Sequence, residues 1–260
     1  MALPDDLLEQ TQWDTFWISD DAEIVDRPEL LYLRCLRDIP MLNTVTRTRG
    51  EVADLPRLVA EVALAHRQVC SRWLVRDLPL RPALEQVLEA ADYAPSFPTS
   101  GYSIAVDAFQ DRYGSDCSVR PVSSMTELRD SVRVTEAAFG APAHATPKEL
   151  LGYLAECTRN GGRVYRYVAY DPRTGAPLST GGMTHYPSLR FCLLWAGSTI
   201  AEARGRGCYG AVLAARVERA RTLGAVRVGL YAHVDTSAPI VRRLGFERHG
   251  NMTFWDRPPV

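Results

Sequence analysis

The sequence predicts a mixed α/β (α+β) protein built in two halves, and three observations carry that reading. The second half spells an orderly run of strand and helix signals, β-α-α-β-β-β-α-β-α-β. The first half repeats the closing β-α-β-α-β of that order in weaker form. Between them a polar stretch from Gln110 to Cys117 separates two strand-like runs and sets the expected division near residue 115.

In the second half, residues 117–122 read as a strand and residues 126–140 and 147–162 as helices. The second helix is opened by Thr146 and Pro147 and closed by a Gly-Gly pair. Residues 163–170 are rich in Val and Tyr, and Asp171-Pro-Arg-Thr-Gly is a turn leading into strands at 178–186 and 189–200. A helix is expected over 209–223, with Leu213, Val217 and Ala220 inward and Arg216, Arg219 and Arg221 outward; Gly224 stops it. A strand at 226–233, a short helix at 236–244 ended by Gly245, and a strand at 246–255 complete the order. In the first half the expected elements are strands at 42–48, 72–75 and 102–109 and helices at 52–66 and 82–93. The aromatic group Trp13, Phe16 and Trp17 reads as core packing of an initial helix.

Composition narrows the function classes. With 260 residues, 46% hydrophobic and 23% charged, the chain can bury two modest cores and is neither collagenous nor disordered. Thirty basic against thirty-one acidic residues, a net charge of −1, argues against a nucleic-acid partner. Lys148 is the only lysine, so the arginine usage reads as coding bias rather than anion recognition. No apolar run reaches the roughly 18–20 residues of a membrane helix, and the N-terminus carries early acid instead of a basic leader. The six cysteines form no Cys-x-x-Cys and the five histidines are scattered. The expectation is a cytoplasmic protein with reduced thiols, no metal and no membrane partner, as a monomer or homodimer.

The most informative stretch is Thr199-Ile-Ala-Glu-Ala-Arg-Gly-Arg-Gly-Cys-Tyr-Gly210, where a strand enters a glycine-rich loop that opens straight into a helix. Free amides at the helix start, together with its dipole, attract phosphate. Gly205 and Gly207 let an anion approach the main chain, Arg204 and Arg206 add charge, and no acid follows until Glu218. The plainer alternative is a glycine turn with its arginines in water. Gly205 to Gly210 also spells G-x-G-x-x-G, but only 50 residues follow, too few for the βα units of a dinucleotide fold. No G-K-[ST] follows either, which excludes a Walker loop.

Spelled instead as R-x-x-G-x-[GA], the loop resembles the acyl-CoA pyrophosphate loop of the GNAT superfamily of N-acyltransferases. The resemblance covers residue 117 to the end and includes Ser237-Ala-Pro-Ile-Val-Arg-Arg-Leu-Gly-Phe246, similar to the family's later helix ending in Gly-Phe. Arg204 and Gly207 fit the pattern. Tyr209 stands where Gly or Ala is usual, which the loop tolerates if the ring turns outward. The resemblance implies a mixed, mostly antiparallel sheet flanked by helices, in tandem: residues 1–114 a degenerate GNAT-like domain, residues 115–260 the acetyl-CoA-binding catalytic domain. It implies acetyl-CoA as co-substrate, held by Thr199, Ile200, Ala201, Arg204, Gly205, Arg206, Gly207, Cys208, Tyr209 and Gly210. The pantetheine arm would pair with Thr199, Ile200 and Ala201 where the fourth and fifth strands splay apart, and one amide would polarise the thioester carbonyl.

The family's usual thiolate-protonating tyrosine falls on Val241 here, and Phe191-Cys-Leu-Leu-Trp195 holds no carboxylate base. Tyr231 and His233, alternating on the fifth strand, are the candidate catalytic pair; the alternative is a half-buried aromatic and a core histidine. His185 and Tyr186 fall at the acceptor wall or in solvent, and Glu202 faces water. In the first half, Arg47-Thr-Arg-Gly50 takes the loop's place, but Glu51 and Asp54 are expected to occupy the amides of the next helix. The expected activity is acetyl transfer to a primary amine of a small molecule or peptide, in settings such as antibiotic biosynthesis or self-resistance. The competing reading is a catalytically inactive acyl-CoA-binding sensor or scaffold.

Overall fold

The computed structural model describes residues 4–111, 114–140 and 145–260; Arg112 and Tyr113 of the expected linker lie outside them. Its elements run α1 (Pro4–Gln10), β1 (Glu23–Arg27), β2 (Leu30–Arg34), β3 (Thr44–Thr48), α2 (Leu55–Ala65), β4 (Ser71–Arg76), α3 (Arg81–Ala90) and β5 (Ala94–Ala105). They continue with β6 (Ser118–Pro121), α4 (Met125–Phe139), α5 (Pro147–Thr158), β7 (Val164–Tyr170), β8 (Pro177–Tyr186) and β9 (Phe191–Thr199). Last come α6 (Cys208–Thr222), β10 (Arg227–His233), α7 (Ala238–Arg243) and β11 (Glu247–Arg257). The chain forms two compact units, each drawn from separate stretches. Unit 1 comprises Met1–Gly101, Ala232–Pro239 and Arg248–Val260; unit 2 comprises Tyr102–Tyr231 and Ile240–Glu247.

In unit 1 the strands lie in the order β1-β2-β3-β4-β11. β1, β2 and β3 pair antiparallel, β3 and β4 parallel, and Met252–Arg257 of β11 runs antiparallel to Ser71–Arg76 of β4. The strand that completes this unit thus comes from the far end of the chain. Leu58 and Val62 of α2, Leu84 and Leu88 of α3, and Trp73, Val45, Leu30 and Trp255 from the strands make one core. The apolar residues of α2 recur at three- and four-residue steps, which is why one face of it is buried.

Unit 2 has the order β10-β9-β8-β7-β6. Three antiparallel ladders join β6 to β9, whereas β10 runs parallel to β9 for only three residues, Arg227–Gly229 against Phe191–Leu193. Alternation along β7 sends Val168 and Tyr170 toward α4 and α5, and Tyr167 and Ala169 toward α6. α4 and α5 each open with a complete capping box, Ser124 with Glu127 and Thr146 with Glu149.

Several expectations are corrected. β5 begins at Ala94, eight residues before the expected 102, across Pro95 and Pro98, which read as breakers. The β1–β2 hairpin was not foreseen. Trp13, Phe16 and Trp17 lie beyond α1: Phe16 and Trp17 are 38% and 43% exposed, and the Arg47 and Arg49 guanidinium groups lie over the Trp13 ring at 5.5 and 5.7 Å. Neither Glu51 nor Asp54 caps a helix through its side chain; Asp54 accepts from Arg57 instead. Cys117 and Cys208, expected as free thiols, are joined as a disulfide with Cα atoms 5.9 Å apart.

His66 is fully buried in unit 1, with Nδ1 toward the Ser71 hydroxyl and Nε2 toward the Leu33 carbonyl, both at 2.8 Å. Burial pushes its pKa down to about 4; Arg257 and Arg34 act the same way and the Leu33 carbonyl opposes them. The folded ring is therefore neutral where an unfolded one takes a proton, so its contribution is complete above pH 6.5 and lost as pH falls toward 4. Denaturant titrations between pH 7 and pH 5 are expected to show wild type losing more stability than His66→Gln. A depression of this size is worth up to about 3 kcal/mol.

Candidate functional site

β9 leaves its partner early. Past Leu193 and Gly229 the parallel ladder stops, so Leu194–Thr199 forms an edge with no β10 residue opposite it. Against β8 the register shifts between Thr180 and Gly182, placing Ala196 and Gly197 in a bulge, with Ala196 at φ 49°. Ile200 donates its N–H to the Leu178 carbonyl at 3.0 Å. Antiparallel alternation then turns the main-chain groups of Thr199 away from β8, toward the open side. The Ala201 carbonyl is taken by the Arg204 N–H, closing a short turn before the loop.

The loop delivers α6 without a cap. Gly205 and Gly207 take φ of 80° and 77°, conformations that side chains with a Cβ resist, and Gly207 is the N-cap residue. No side chain caps the helix and no acid lies in its first turn. The first intrahelical bond is Ala211 N–H to the Gly207 carbonyl, so among the described residues the amides of Cys208, Tyr209 and Gly210 are left open. A Cβ at Gly207 would also sit 2.9 Å from the Gly114 carbonyl, where Ser115 donates to the Arg206 carbonyl.

The two loop arginines differ. Arg206 pairs with Asp171 at 3.0 Å, and the Arg173 and Thr174 amides together with Arg206 hold that carboxyl below the usual range. Arg204 is exposed, and among the described residues nothing pairs with it. The Tyr209 ring does not turn outward. It lies against Gly197, where a Cβ would come within 2.9 Å of the ring, and burial pushes its phenol pKa up.

Sequence reasoning placed Arg216 in solvent; it is 1% exposed. Its Nε donates to the Val212 carbonyl and Nη1 to the Gly182 carbonyl, while Nη2 lacks a hydrogen-bond partner among the described residues. Gly181 makes the room, since a Cβ there would fall 2.7 Å from Cζ. Burial lowers the Arg216 pKa, and Tyr209 and Tyr167 oppose that shift. The signal was present: Leu213, Arg216, Val217 and Ala220 follow the three-and-four spacing of a single helix face.

Tyr231 and His233 are half-buried on β10, between buried Leu230 and Ala232 and exposed Val234. The His233 Nδ1 accepts the Asp235 N–H at 3.3 Å, which places its proton on Nε2, and its ring lies 4.8 Å from that of Phe97. His185 is buried rather than exposed, with burial, Arg163 and Arg219 lowering its pKa. Glu202 is exposed. Val241 is fully buried in α7.

No protein-family model and no curated protein matches the chain. Solved structures do. A GCN5-related N-acetyltransferase from Kribbella flavida superposes with a TM-score of 0.68 at 16% identity, covering 99% of this chain and 96% of its own. A second, from Sphaerobacter thermophilus, gives 0.66 at 18%, covering 100% and 87%. A tandem GNAT protein from the clavulanic acid biosynthesis pathway gives 0.60 at 17%, covering 97% and 87%. The chain has the GNAT fold.

Within that fold, β9, its loop and α6 occupy unit 2, and the buried Arg216 lies beneath the β9 bulge. A guanidinium that meets no carboxylate and leaves one nitrogen unbonded costs stability. Arg216→Met, which keeps the volume and removes the charge, is expected to raise the melting temperature by about 2–4 °C, measured by calorimetry; a fall would show that the guanidinium holds the fold together.

Proposed function

We propose that the protein is a GNAT acetyltransferase that moves an acetyl group from acetyl-CoA to a primary amine of a small molecule or peptide. The observation that carries this is the start of α6, where open amides, two left-handed glycines and an acid-free first turn suit a pyrophosphate. On this reading residues 115–260 form the catalytic half and 1–114 the degenerate one. The amides of Gly205, Gly207, Cys208, Tyr209 and Gly210 hold the diphosphate, Arg204 supplies charge, and Arg206 stays with Asp171 and stiffens the loop. Thr199 pairs with the pantetheine arm along the open edge of β9; Ile200 and Ala201 shape its entry.

The reaction is direct. The amine nitrogen bonds to the acetyl carbon, the carbon–sulfur bond breaks, and the amine gives up one proton while the sulfur takes one. Tyr231 is the proposed donor to sulfur, and His233, with its proton on Nε2, is the proposed relay. The pathway of the clavulanic acid neighbour suggests secondary-metabolite chemistry or self-resistance as the setting. In the proposed cytoplasmic location the Cys117–Cys208 pair would meet reducing thiols.

One observation favours a second reading. The position where the family usually places its acid is a fully buried valine, Val241, so an acyl-CoA-binding sensor without turnover is the alternative. Thiol release from acetyl-CoA over a panel of amines separates the two, since saturable coenzyme binding with no release on any amine favours the sensor. Tyr231→Phe and His233→Ala are each expected to lower kcat about 10²-fold, the usual range for a lost proton-transfer group, with acetyl-CoA affinity unchanged. Gly207→Asp, which sets a carboxylate against the diphosphate, is expected to weaken coenzyme binding at least about tenfold by calorimetric titration. Undiminished affinity would move the coenzyme elsewhere.

A further inference from the structure

A second unmatched arginine lies on the other face of β8. Arg166, in the middle of β7 opposite Gly182, points toward α4 and α5. Its guanidinium lies over the Trp195 ring at 4.7 Å, and Nη1 donates to the Ser131 hydroxyl at 3.3 Å. Both supports are fixed in turn: Ser131 bonds the Thr180 hydroxyl at 2.7 Å, and the Trp195 Nε1 donates to the Thr184 hydroxyl at 3.0 Å. A Cβ at Gly182 would fall 2.3 Å from the Trp195 ring, so only glycine lets the tryptophan lie flat there.

Arg166 is half-buried, and no carboxylate faces it among the described residues. The acids of α4 and α5 have other partners: Asp130 pairs with Arg133 and the Tyr170 hydroxyl, Glu127 and Glu149 serve their capping boxes, Glu156 pairs with Arg159, and Glu136 is also engaged. The groups that act on its charge are the neutral Cys157 thiol and Tyr153 phenol, and burial lowers its pKa. Trp195 belongs to the β9 segment that has lost its β10 partner, so this fork opens beside the edge where the acyl end of the coenzyme would lie.

We infer that the amine acceptor carries a carboxylate and that Arg166 binds it. This rests on the acetyltransferase reading and specifies its substrate class. A guanidinium held flat by an aromatic ring, with one nitrogen anchored and no acid opposite, suits a planar carboxylate. A phosphate would draw on several donors, as the start of α6 provides. An acceptor carboxylate also supplies the counter-charge that this half-buried cation lacks.

The test pairs glycine, glutamate and lysine each with its carboxamide. The acids are expected to exceed the amides in kcat/KM by about 10- to 100-fold, the worth of one charge-assisted pair. In Arg166→Met that preference should fall to within about twofold with the KM for acetyl-CoA unchanged, and Arg166→Lys should restore part of it. Amides used as readily as acids, or a preference that survives Arg166→Met, overturns the inference and leaves acetyl transfer standing. Thermal shift supplies a readout independent of turnover: the acids should raise the melting temperature of wild type and not of Arg166→Met. If none of the acids does so, the carboxylate site is wrong. Acid-specific stabilisation with no thiol release on any amine would instead sink the acetyltransferase reading alone.

Discussion

The structure turns on a helix start that is left electrically open. The same chain closes α4 and α5 with full capping boxes, each setting a glutamate against the first amides. α6 receives neither cap nor acid, a choice that gives up about 1 kcal/mol of local stability. α2 and α3 also lack side-chain caps, but α2 follows Glu51 and Asp54, and α3 begins beside the Arg81 pairs with Asp77 and Glu85. Among the described residues, only at α6 do left-handed glycines, open amides and an absence of acid in the first turn coincide. The position of that opening depends in turn on the short parallel ladder, which releases β9 from β10 after Leu193, so that Leu194–Thr199 runs free of β10 before the loop begins.

A second constraint concerns charge. Arg166 and Arg216 stand on opposite faces of β8, around Gly181 and Gly182, and neither meets an acid. Buried cations of this kind are normally neutralised by the fold. Here the sheet makes room for them, through glycines whose Cβ would collide with Arg216 or Trp195 and through a bulge at Ala196. The result is positive charge around the middle of β8 and β9, which under the proposed reaction would favour negative charge developing on a thioester oxygen or a departing sulfur.

Much of unit 2 was legible in the sequence because its signals are local. Thr146 with Pro147 and the later glycine stops fix helix ends by chemistry within a few residues, and the loop at 204–210 announces itself by composition. What the sequence hid was nonlocal. Glu23–Arg27 is too exposed to alternate clearly, and Leu30–Arg34 is a continuous apolar run that periodicity cannot assign to strand or helix. The ring of Tyr209 and the stack of Arg166 on Trp195 depend on glycines in other strands, so no window around either residue reveals them. Arg216 is a different failure: the helical spacing placed it inward, and its charge argued it outward.

The repeated β-α-β-α-β pattern acquires a meaning that neither copy shows alone. In the first copy, β3, α2 and β4 form the parallel crossover, and in the second, β9, α6 and β10 do. Yet the strand that closes unit 1 beside β4 is β11, from the end of the second copy, and the last residues of β5, from the first copy, cluster with unit 2. Ser103 of that segment accepts from Arg227 of β10, and Thr99, earlier in β5, donates to the Met252 carbonyl of β11. Each unit therefore includes a strand segment from the other copy, and in unit 1 that strand brings Trp255 into the core. The pairing of β11 with β4 and the Arg227–Ser103 bond thus tie the strands that follow the α6 loop to strands of the first copy.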